Sequence, residues 1–275
     1  MRQDASTHLD TLDLDGLREG LEAAVEAAAE AIREVSASGR VRVGHKWGHG
    51  PVTEADHAAD DVLHARLMPL IAGVHWLSEE SKQVAPLIHG EPTWVVDPLD
   101  GTREFLRGLP EYAVSVGLFV DDHLALGAVA LPVQREVLSG LIHPGGRREA
   151  RRNGVPLSVH DGHDEEVRRV VVSRHDYESR RVHYVIPYEV YPCGSAAVKL
   201  AHTVDGRADV YLSTGPRSVW DVAGGAAVLG AVGGALLTFD GAQLDLSPQQ
   251  VQIPPYAAGR PGACLTLLRR LGAKV

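Results

Sequence analysis

The sequence predicts an α+β fold, with an antiparallel sheet in the first half of the chain and a layered α/β arrangement in the second half. Two observations support this prediction. Residues 112–142 read as successive β-strands with no helix between them, which implies antiparallel pairing. From residue 170 onwards, strand-like and helix-like segments alternate, which is typical of layered α/β structure.

Composition indicates an ordinary globular protein. The 275 residues are 44% hydrophobic and 23% charged, which is enough for one large core or two modest ones. The first thirty residues carry acids throughout and no uninterrupted apolar run, so we expect no signal peptide, no membrane span and a cytoplasmic location. A formal net charge of −9 argues against a nucleic-acid partner, although a bound cation would still allow an anionic substrate.

The first elements are two predicted helices separated by a Gly-rich segment. Apolar residues with three-and-four spacing predict an amphipathic helix over 14–35. Residues 40–52 read as a strand followed by a mobile loop, and Thr53 is a suitable N-cap for a second helix that ends near Met68. Further strands are expected at 74–78, at 93–97 and within 112–142.

A change in composition marks a predicted domain boundary. Residues 143–166 are polar, charged and Gly-containing, as connections between domains often are. We therefore expect an N-terminal α+β domain over 1–160 and a C-terminal α/β domain over 161–275. The second domain is predicted to contain strands at 170–173, 208–213 and 235–239 and helices at 195–205 and 220–232.

The densest functional signal is the end of the strand at 93–97. Asp97 and Asp100 are three residues apart, and Pro98 bends the chain so that both carboxylates and the carbonyl of Leu99 can converge. Oxygen ligands of this kind suit Mg²⁺. The pattern Pro-x-Asp-Gly is also ordinary β-turn chemistry, so this segment alone fits a turn as well as a metal site.

The same segment offers a place for an anion. Gly101 and Thr102 stand at a predicted helix start, where backbone amides are free to hold a phosphate. Two other acidic segments have simpler interpretations when each is taken alone. SEES at 78–81 reads as a solvated loop, and WDVAGG at 220–225 reads as a helix with a favourable N-terminal charge.

Four motifs, in this order, resemble the signature set of the inositol monophosphatase superfamily: VTEAD at 52–56, SEES at 78–81, DPLDGT at 97–102 and WDVAGG at 220–225. The resemblance spans roughly residues 10 to 245. It implies a five-layered α-β-α-β-α sandwich, hydrolysis of a small phosphate monoester, about two or three Mg²⁺ ions per site and a homodimer.

The resemblance also assigns roles to individual residues. Thr102, paired with Asp56, would orient the attacking water and help to deprotonate it, and Glu79 would be the third catalytic residue. The implied metal ligands are Glu79, Asp97, the carbonyl of Leu99, Asp100 and Asp221. The implied substrate-binding residues are Gly101, Thr102, Gly194, Ser195, Lys199 and Asp221.

The segment CGSAAVK at 193–199 is similar to a Gly-Ser-x-x-x-Lys element on the substrate side of this superfamily. Ser195 is also a good N-cap for an ordinary core helix. Lys199 either contacts a second phosphate or lies on a solvated helix face.

Neighbouring residues favour the 3'(2'),5'-bisphosphate nucleotidase branch of the superfamily. Arg103-Glu104-Phe105 after DPLDGT and Gly215-Pro216 before WDVAGG are similar to that branch. VSRH at 172–175 is similar to its Ser-Arg-Ser-His stretch, with one residue missing. This branch implies conversion of adenosine 3',5'-bisphosphate to AMP and phosphate. The candidates for the remaining 5'-phosphate are Arg174, His175, Lys199 and Arg217.

Two departures from the family pattern leave the substrate open. Gly224 stands where the family usually has alanine, and the unusual loop HKWGH at 45–49 either closes over the phosphate or is simply mobile. Inositol monophosphatase or fructose-1,6-bisphosphatase activity would use the same metal site. A non-catalytic sensor of phosphate esters is the alternative from another class, but it would have no need of Thr102 and Asp56.

Overall fold

The computed structural model describes residues 8–39, 41–46, 50–81, 87–160, 163–273 and 275. In this part of the chain, no helix is both long enough and apolar enough to cross a membrane. The helices are α1 (His8–Thr11), α2 (Leu14–Ala37), α3 (Glu54–Leu67), α4 (Thr102–Leu106), α5 (Arg174–Glu178), α6 (Ala196–Val204), α7 (Val219–Ala231) and α8 (Pro261–Arg270).

Most strands belong to two large sheets, separated along the chain. Those of the first half are β1 (Val43–Lys46), β2 (Gly50–Thr53), β3 (His75–Ser78), β4 (Thr93–Asp100), β5 (Ala113–Val120), β6 (His123–Leu131), β7 (Glu136–Ile142), β8 (Arg148–Arg152) and β9 (Val155–Pro156). Those of the second half are β10 (Arg169–Ser173), β11 (Glu189–Cys193), β12 (Val210–Ser213), β13 (Arg217–Ser218), β14 (Ala235–Thr238), β15 (Gln252–Ile253) and β16 (Tyr256–Gly259).

The first sheet has the order β3-β4-β5-β6-β7-β8-β9. Its strands pair antiparallel from β4 to β9, which confirms the prediction for 112–142. β3 instead pairs parallel to β4. Because parallel strands end at the same edge of a sheet, Glu79, which follows β3, is brought beside the end of β4. The backbone amide of Glu79 donates to the carbonyl of Val96 at 3.0 Å.

The connection between the two sheets is shorter than predicted. Residues 148–156 continue the first sheet as β8 and β9, so they are not part of a linker. Their charged residues were misleading because β8 is near an exposed edge, where charged side chains reach solvent or pair. One of them, Glu149, accepts hydrogen bonds from Arg18 and Arg147.

The second sheet has the order β11-β10-β12-β16-β14. β10 pairs parallel to both β11 and β12, whereas β16 pairs antiparallel to β12 and β14. The strands predicted at 170–173, 208–213 and 235–239 are confirmed, as are the helices at 195–205 and 220–232. The sequence analysis did not anticipate β11, β16 or α8.

The elements stack in five layers, as the resemblance implied. α2 and α3 pack on one face of the first sheet. α6 and α7 form the layer between the sheets, and α8 covers the outer face of the second sheet. Because α7 comes from the second half of the chain but packs on the first sheet, the core spans the expected boundary at residue 160. The division into two domains stays a prediction.

Helix α7 lies very close to the first sheet because Gly224 has no side chain. A Cβ atom at this position would be 2.5 Å from the carbonyl oxygen of Ala128 and 2.8 Å from the hydroxyl oxygen of Ser115. The Ser115 hydroxyl also donates to the carbonyl of Trp220 at 3.1 Å. The glycine that departs from the family pattern therefore fits a tight contact that fixes the start of α7, where Asp221 lies.

Candidate active site

The end of β4 is irregular where the metal ligands were predicted. The pairing register between β4 and β5 shifts between Asp97 and Asp100, which agrees with the bend expected at Pro98. Asp97 is buried, and one of its carboxylate oxygens accepts a hydrogen bond from the backbone amide of Leu99 at 3.0 Å. The irregularity interrupts the alternation of side chains along the strand and brings both carboxylates to its end.

Asp100 connects the first half of the chain to the start of α6. Its Oδ2 atom accepts hydrogen bonds from the hydroxyl of Ser195 at 2.6 Å and from the backbone amide of Ala197 at 2.7 Å. Burial raises the pKa of Asp100 despite the opposing effects of Lys199 and these hydrogen bonds. The structure therefore brings Ser195, predicted on the substrate side, into contact with a predicted metal ligand.

Thr102 and Asp56 lie together, as the resemblance implied. The Thr102 hydroxyl oxygen is 3.0 Å from Asp56 Oδ1 and 3.1 Å from the carbonyl oxygen of Leu99. The other carboxylate oxygen of Asp56 accepts from the backbone amide and the hydroxyl of Thr53, at 2.8 and 2.6 Å. This capping box at the start of α3 holds the fully buried Asp56 in position.

Three carboxylates share one electrostatic environment at this edge. Burial first, and then the negative charges of Asp100 and Glu79, raise the pKa of Asp221 to about 8. The backbone amide of Ser218 donates to Asp221 at 3.1 Å, which holds the carboxylate at the start of α7. Carboxylates placed in this way repel one another unless positive charge is supplied.

The donor set fits a hard divalent cation. All the predicted ligands are oxygen atoms, and the repulsion between Glu79, Asp100 and Asp221 would be relieved by a cation. Within the described part of the chain, no three His, Cys, Asp or Glu side chains are drawn together closely enough to hold an ion as they stand.

Lys199 does not occupy either of its predicted positions. It is fully buried, and its Nζ atom donates to the carbonyl oxygens of Cys193, Gly194 and Ser195 at 3.1, 2.6 and 2.7 Å. Nζ also lies 5.0 Å from the centre of the Tyr211 ring. All three of its N–H groups are used inside the protein, so neither a second phosphate nor solvent is its partner. Lys199 instead fixes the backbone that leads into α6.

A cavity of about 590 Å³ opens beside the carboxylates, between α4 and α5. Asp100, Asp221 and Gly194 contribute to its wall. Five arginines and one histidine also line it, Arg103, Arg107, Arg174, His175, Arg180 and Arg217, together with the acidic Glu104, Asp176 and Glu178. Three of these, Arg174, His175 and Arg217, were predicted as contacts for a second phosphate.

Arg107 and Arg180 were missed as cavity residues, and Arg103 was noted only as a mark of the nucleotidase branch. The sequence did contain a signal for Arg103 and Arg107, because these two arginines are four residues apart directly after DPLDGT. Arg180 carried no comparable signal. It comes near the cavity only because α5 follows β10, and its guanidinium lies 3.3 Å from Asp176.

Acidic residues restrain several of these cations. Arg174 donates to Glu111 at 2.5 Å and lies 3.8 Å from Glu104. The same Glu111 oxygen accepts from the backbone amide of Gly194 at 2.8 Å. Arg217 lies 3.4 Å from the hydroxyl oxygen of the buried Tyr211. The wall is thus a set of positioned charges, and Gly194 is held through Glu111.

The loop predicted to act as a lid is the tip of the β1–β2 hairpin, in which Lys46 pairs with Gly50. Residues 47–49 and the side chains of His45 and Lys46 lie outside the described part of the chain.

Comparison with known proteins agrees with the geometry. The inositol monophosphatase family model matches residues 13–267. Inositol monophosphatase 1 of Solanum lycopersicum is 30% identical over 222 residues, which cover 76% of this chain and 80% of that protein. The 3'(2'),5'-bisphosphate nucleotidase CysQ of Escherichia coli K12 is 30% identical over 213 residues, which cover 76% of this chain and 85% of that protein.

The fold is shared with solved structures. The inositol monophosphatase from Anabaena (Nostoc) sp. PCC 7120 superposes with a TM-score of 0.75 at 24% identity. The superposition covers 95% of this chain and 97% of that one.

Proposed function

The chain belongs to the inositol monophosphatase family of metal-dependent phosphatases, and we propose that it is a Mg²⁺-dependent 3'(2'),5'-bisphosphate nucleotidase. It would convert adenosine 3',5'-bisphosphate to AMP and phosphate. The observation that carries the proposal is the cavity beside the carboxylates, because its wall holds more cationic side chains than one reacting phosphate requires.

The reacting phosphate would lie at the end of β4. The proposed metal ligands are the carboxylates of Glu79, Asp97, Asp100 and Asp221 and the carbonyl of Leu99. About two or three Mg²⁺ ions would supply the positive charge that offsets the carboxylates and the phosphate and lowers the pKa of water held there. The backbone amides of Gly101 and Thr102 would hold the oxygens of the same phosphate.

Thr102 and Asp56 would position the attacking water. If the Thr102 hydroxyl donates its proton to Asp56 across the 3.0 Å contact, the lone pairs of its oxygen are free to accept a hydrogen bond from water. This orients the water and draws its proton towards the buried carboxylate. Glu79, which follows β3 at the same sheet edge, would complete the catalytic residues.

The cationic wall supports a bisphosphate over an inositol phosphate. Arg174, His175 and Arg217 line the cavity next to the carboxylates. An inositol monophosphate would bring no second anion to this wall, because the rest of that substrate carries hydroxyl groups only. A nucleoside bisphosphate supplies a second phosphate, for which arginine is a strong ligand. Gly194, in the wall of the cavity, would contact the part of the substrate between the two phosphates, and the predicted Ser195 would act on the site through its hydrogen bond to Asp100.

The homodimer and the cytoplasmic location stay predictions. Sedimentation of the purified protein would measure its oligomeric state directly. Done on the protein used in the assay below, it would show whether that protein is a dimer.

The test is phosphate release from adenosine 3',5'-bisphosphate, inositol 1-phosphate and fructose 1,6-bisphosphate, in Mg²⁺ and in EDTA. Asp97→Asn removes a buried carboxylate from the site, and Asp61→Asn, on the exposed side of α3, is the matched control. We expect the nucleotide to be preferred and its hydrolysis to be lost in EDTA and in Asp97→Asn only. Preference for either of the other esters would reject the nucleotidase proposal and keep the phosphatase chemistry. No Mg²⁺-dependent release from any ester would favour the sensor.

A further inference from the structure

Arg103 and Arg107 are the two exposed arginines of the cavity wall that form no ion pair among the described residues. By contrast, Arg174 pairs with Glu111 and Arg180 with Asp176. Arg217 also forms no ion pair among the described residues, but it is held against the hydroxyl of the buried Tyr211. An anion that binds Arg103 and Arg107 therefore displaces only water.

Short helix α4 fixes both arginines relative to the catalytic residues. It begins at Thr102, whose hydroxyl contacts Asp56, and the buried Phe105 packs edge-on against Tyr112 with ring centres 5.2 Å apart. The backbone amide of Arg107 donates to the carbonyl of Arg103 at 3.2 Å, so the helical geometry extends across both positions. Residues four apart lie on the same side of a helix, about 5–6 Å apart at Cβ.

Binding a substrate phosphate costs more free energy at the paired arginines of the wall, Arg174 and Arg180, than at Arg103 and Arg107. Moving Arg174 to a substrate phosphate would leave the partly buried Glu111 without its cation, although Glu111 also accepts the backbone amide of Gly194. Separating a partly buried ion pair leaves an uncompensated charge and opposes binding. The same argument applies to Arg180, because its partner Asp176 is buried. Arg103 and Arg107 carry no such cost.

We propose that Arg103 and Arg107 together bind the phosphate that is not hydrolysed and so determine the preference for a bisphosphate over a monophosphate. This inference rests on the proposed nucleotidase function. Guanidinium groups match phosphate in shape and can donate two hydrogen bonds to it. Two of them on one helix face, rigidly attached to Thr102, set the distance between the bound phosphate and the reacting one.

The test compares one pair of substrates that differ only in the second phosphate, adenosine 3',5'-bisphosphate and adenosine 3'-monophosphate. The variants are Arg103→Gln, Arg107→Gln and the double variant. Arg66→Gln is the matched control, because Arg66 is an exposed arginine on α3 that forms no ion pair within the described residues and does not line the cavity. Each single variant, including the control, removes one positive charge, and the double variant removes two.

For the bisphosphate we expect kcat/KM to fall about 10-fold in each single variant and about 100-fold in the double variant, as for the loss of hydrogen bonds between charged groups. For the monophosphate, kcat/KM should stay within about threefold of the wild type, and Arg66→Gln should change neither value. Equal losses on both substrates, or no loss in the double variant, would overturn the inference.

Equilibrium binding of the two nucleotides in EDTA, measured by calorimetry, separates this inference from the proposed function. If the wild type hydrolyses neither nucleotide, the nucleotidase proposal fails. The inference then stands only if the wild type still binds the bisphosphate more tightly than the monophosphate and the double variant loses that preference. Equal binding of both nucleotides by the wild type would overturn it.

Discussion

The Asp100 carboxylate lies 2.6 Å from the Ser195 hydroxyl, so a predicted metal ligand from the first half of the chain forms part of the N-terminal cap of α6 in the second half. The same hydroxyl accepts the backbone amide of Val198, and the same carboxylate accepts that of Ala197. The position of Asp100 therefore depends on a helix nearly a hundred residues away. Changes around α6 should alter the site even where they touch no substrate.

Replacing Thr102 by valine should lower kcat by about 100-fold or more, because the hydroxyl that would orient the water is lost while the shape is kept. Thr102→Ser retains the hydroxyl and should keep most of the activity. Steady-state kinetics on the preferred substrate measure both effects. A Thr102→Val enzyme with wild-type kcat would show that the contact between Thr102 and Asp56 serves the fold and not the reaction.

Replacing Lys199 by methionine should destabilise the protein by about 3 kcal/mol, because three backbone carbonyls lose their donor inside the core. Activity should fall on every substrate alike, since the backbone before α6 also positions Ser195 beside Asp100. Urea denaturation and kinetics on the bisphosphate and the monophosphate separate the possibilities. If the Lys199→Met variant has normal stability and loses activity only on the bisphosphate, then Lys199 contacts the second phosphate, contrary to what its burial indicates.

Replacing Gly224 by alanine should destabilise the protein by about 1–3 kcal/mol, because the new methyl group meets the backbone oxygen of Ala128 at 2.5 Å and α7 must move away from the sheet. Gly230→Ala, in the same helix, is the matched control. Its methyl group meets only the flexible tip of Ile142, and alanine favours the helix by up to about 1 kcal/mol. Thermal unfolding of both variants checks the prediction. Equal stability of the two would contradict the close contact at Gly224.

The sequence was informative wherever a local pattern determines local structure. The spacing of apolar residues gave α2 with nearly correct ends, and the Asp-Pro-x-Asp pattern predicted the irregular end of β4. The pairing of Thr102 with Asp56 was implied by the family motifs. No feature of residues 52–56 or 97–102 taken separately indicates that these side chains meet, because they belong to elements joined only by tertiary packing.

The errors came from side chains whose role depends on distant residues. The environment of Lys199 is formed by backbone carbonyls and Tyr211, so nothing in its helix indicates whether it faces substrate, solvent or core. The charged residues of β8 suggested a linker, because an edge strand and a loop are both polar. Whether an arginine of the cavity is available to bind an anion depends on whether an acidic side chain lies close to it. Arg174 and its partner Glu111 come from different parts of the chain, so such a pair is visible only in the folded structure.

The metal-free protein should become less stable as pH rises, because of the carboxylates at the site. The pKa of Asp221 is raised from 3.8 to about 8, chiefly by burial and then by Asp100 and Glu79. Between these two pH values the folded state binds more protons than the unfolded state, so the free energy of unfolding falls as pH rises through this window. The pKa values of Asp100 and Glu104 are also raised, and both contributions have the same sign.

Mg²⁺ should reverse this dependence, because it binds the ionised carboxylates and its stabilising effect therefore grows with pH. We expect Tm in EDTA to fall between pH 5 and pH 8, and the increase in Tm on adding Mg²⁺ to be larger at pH 8 than at pH 5. Asp221→Asn removes the carboxylate whose pKa is raised to about 8, so Tm in EDTA should vary less with pH and the increase in Tm on adding Mg²⁺ should be smaller. Differential scanning fluorimetry across this range measures both. A wild-type Tm that is constant or rising in EDTA would mean that the carboxylates of Asp221, Asp100 and Glu79 do not repel one another as their placement requires.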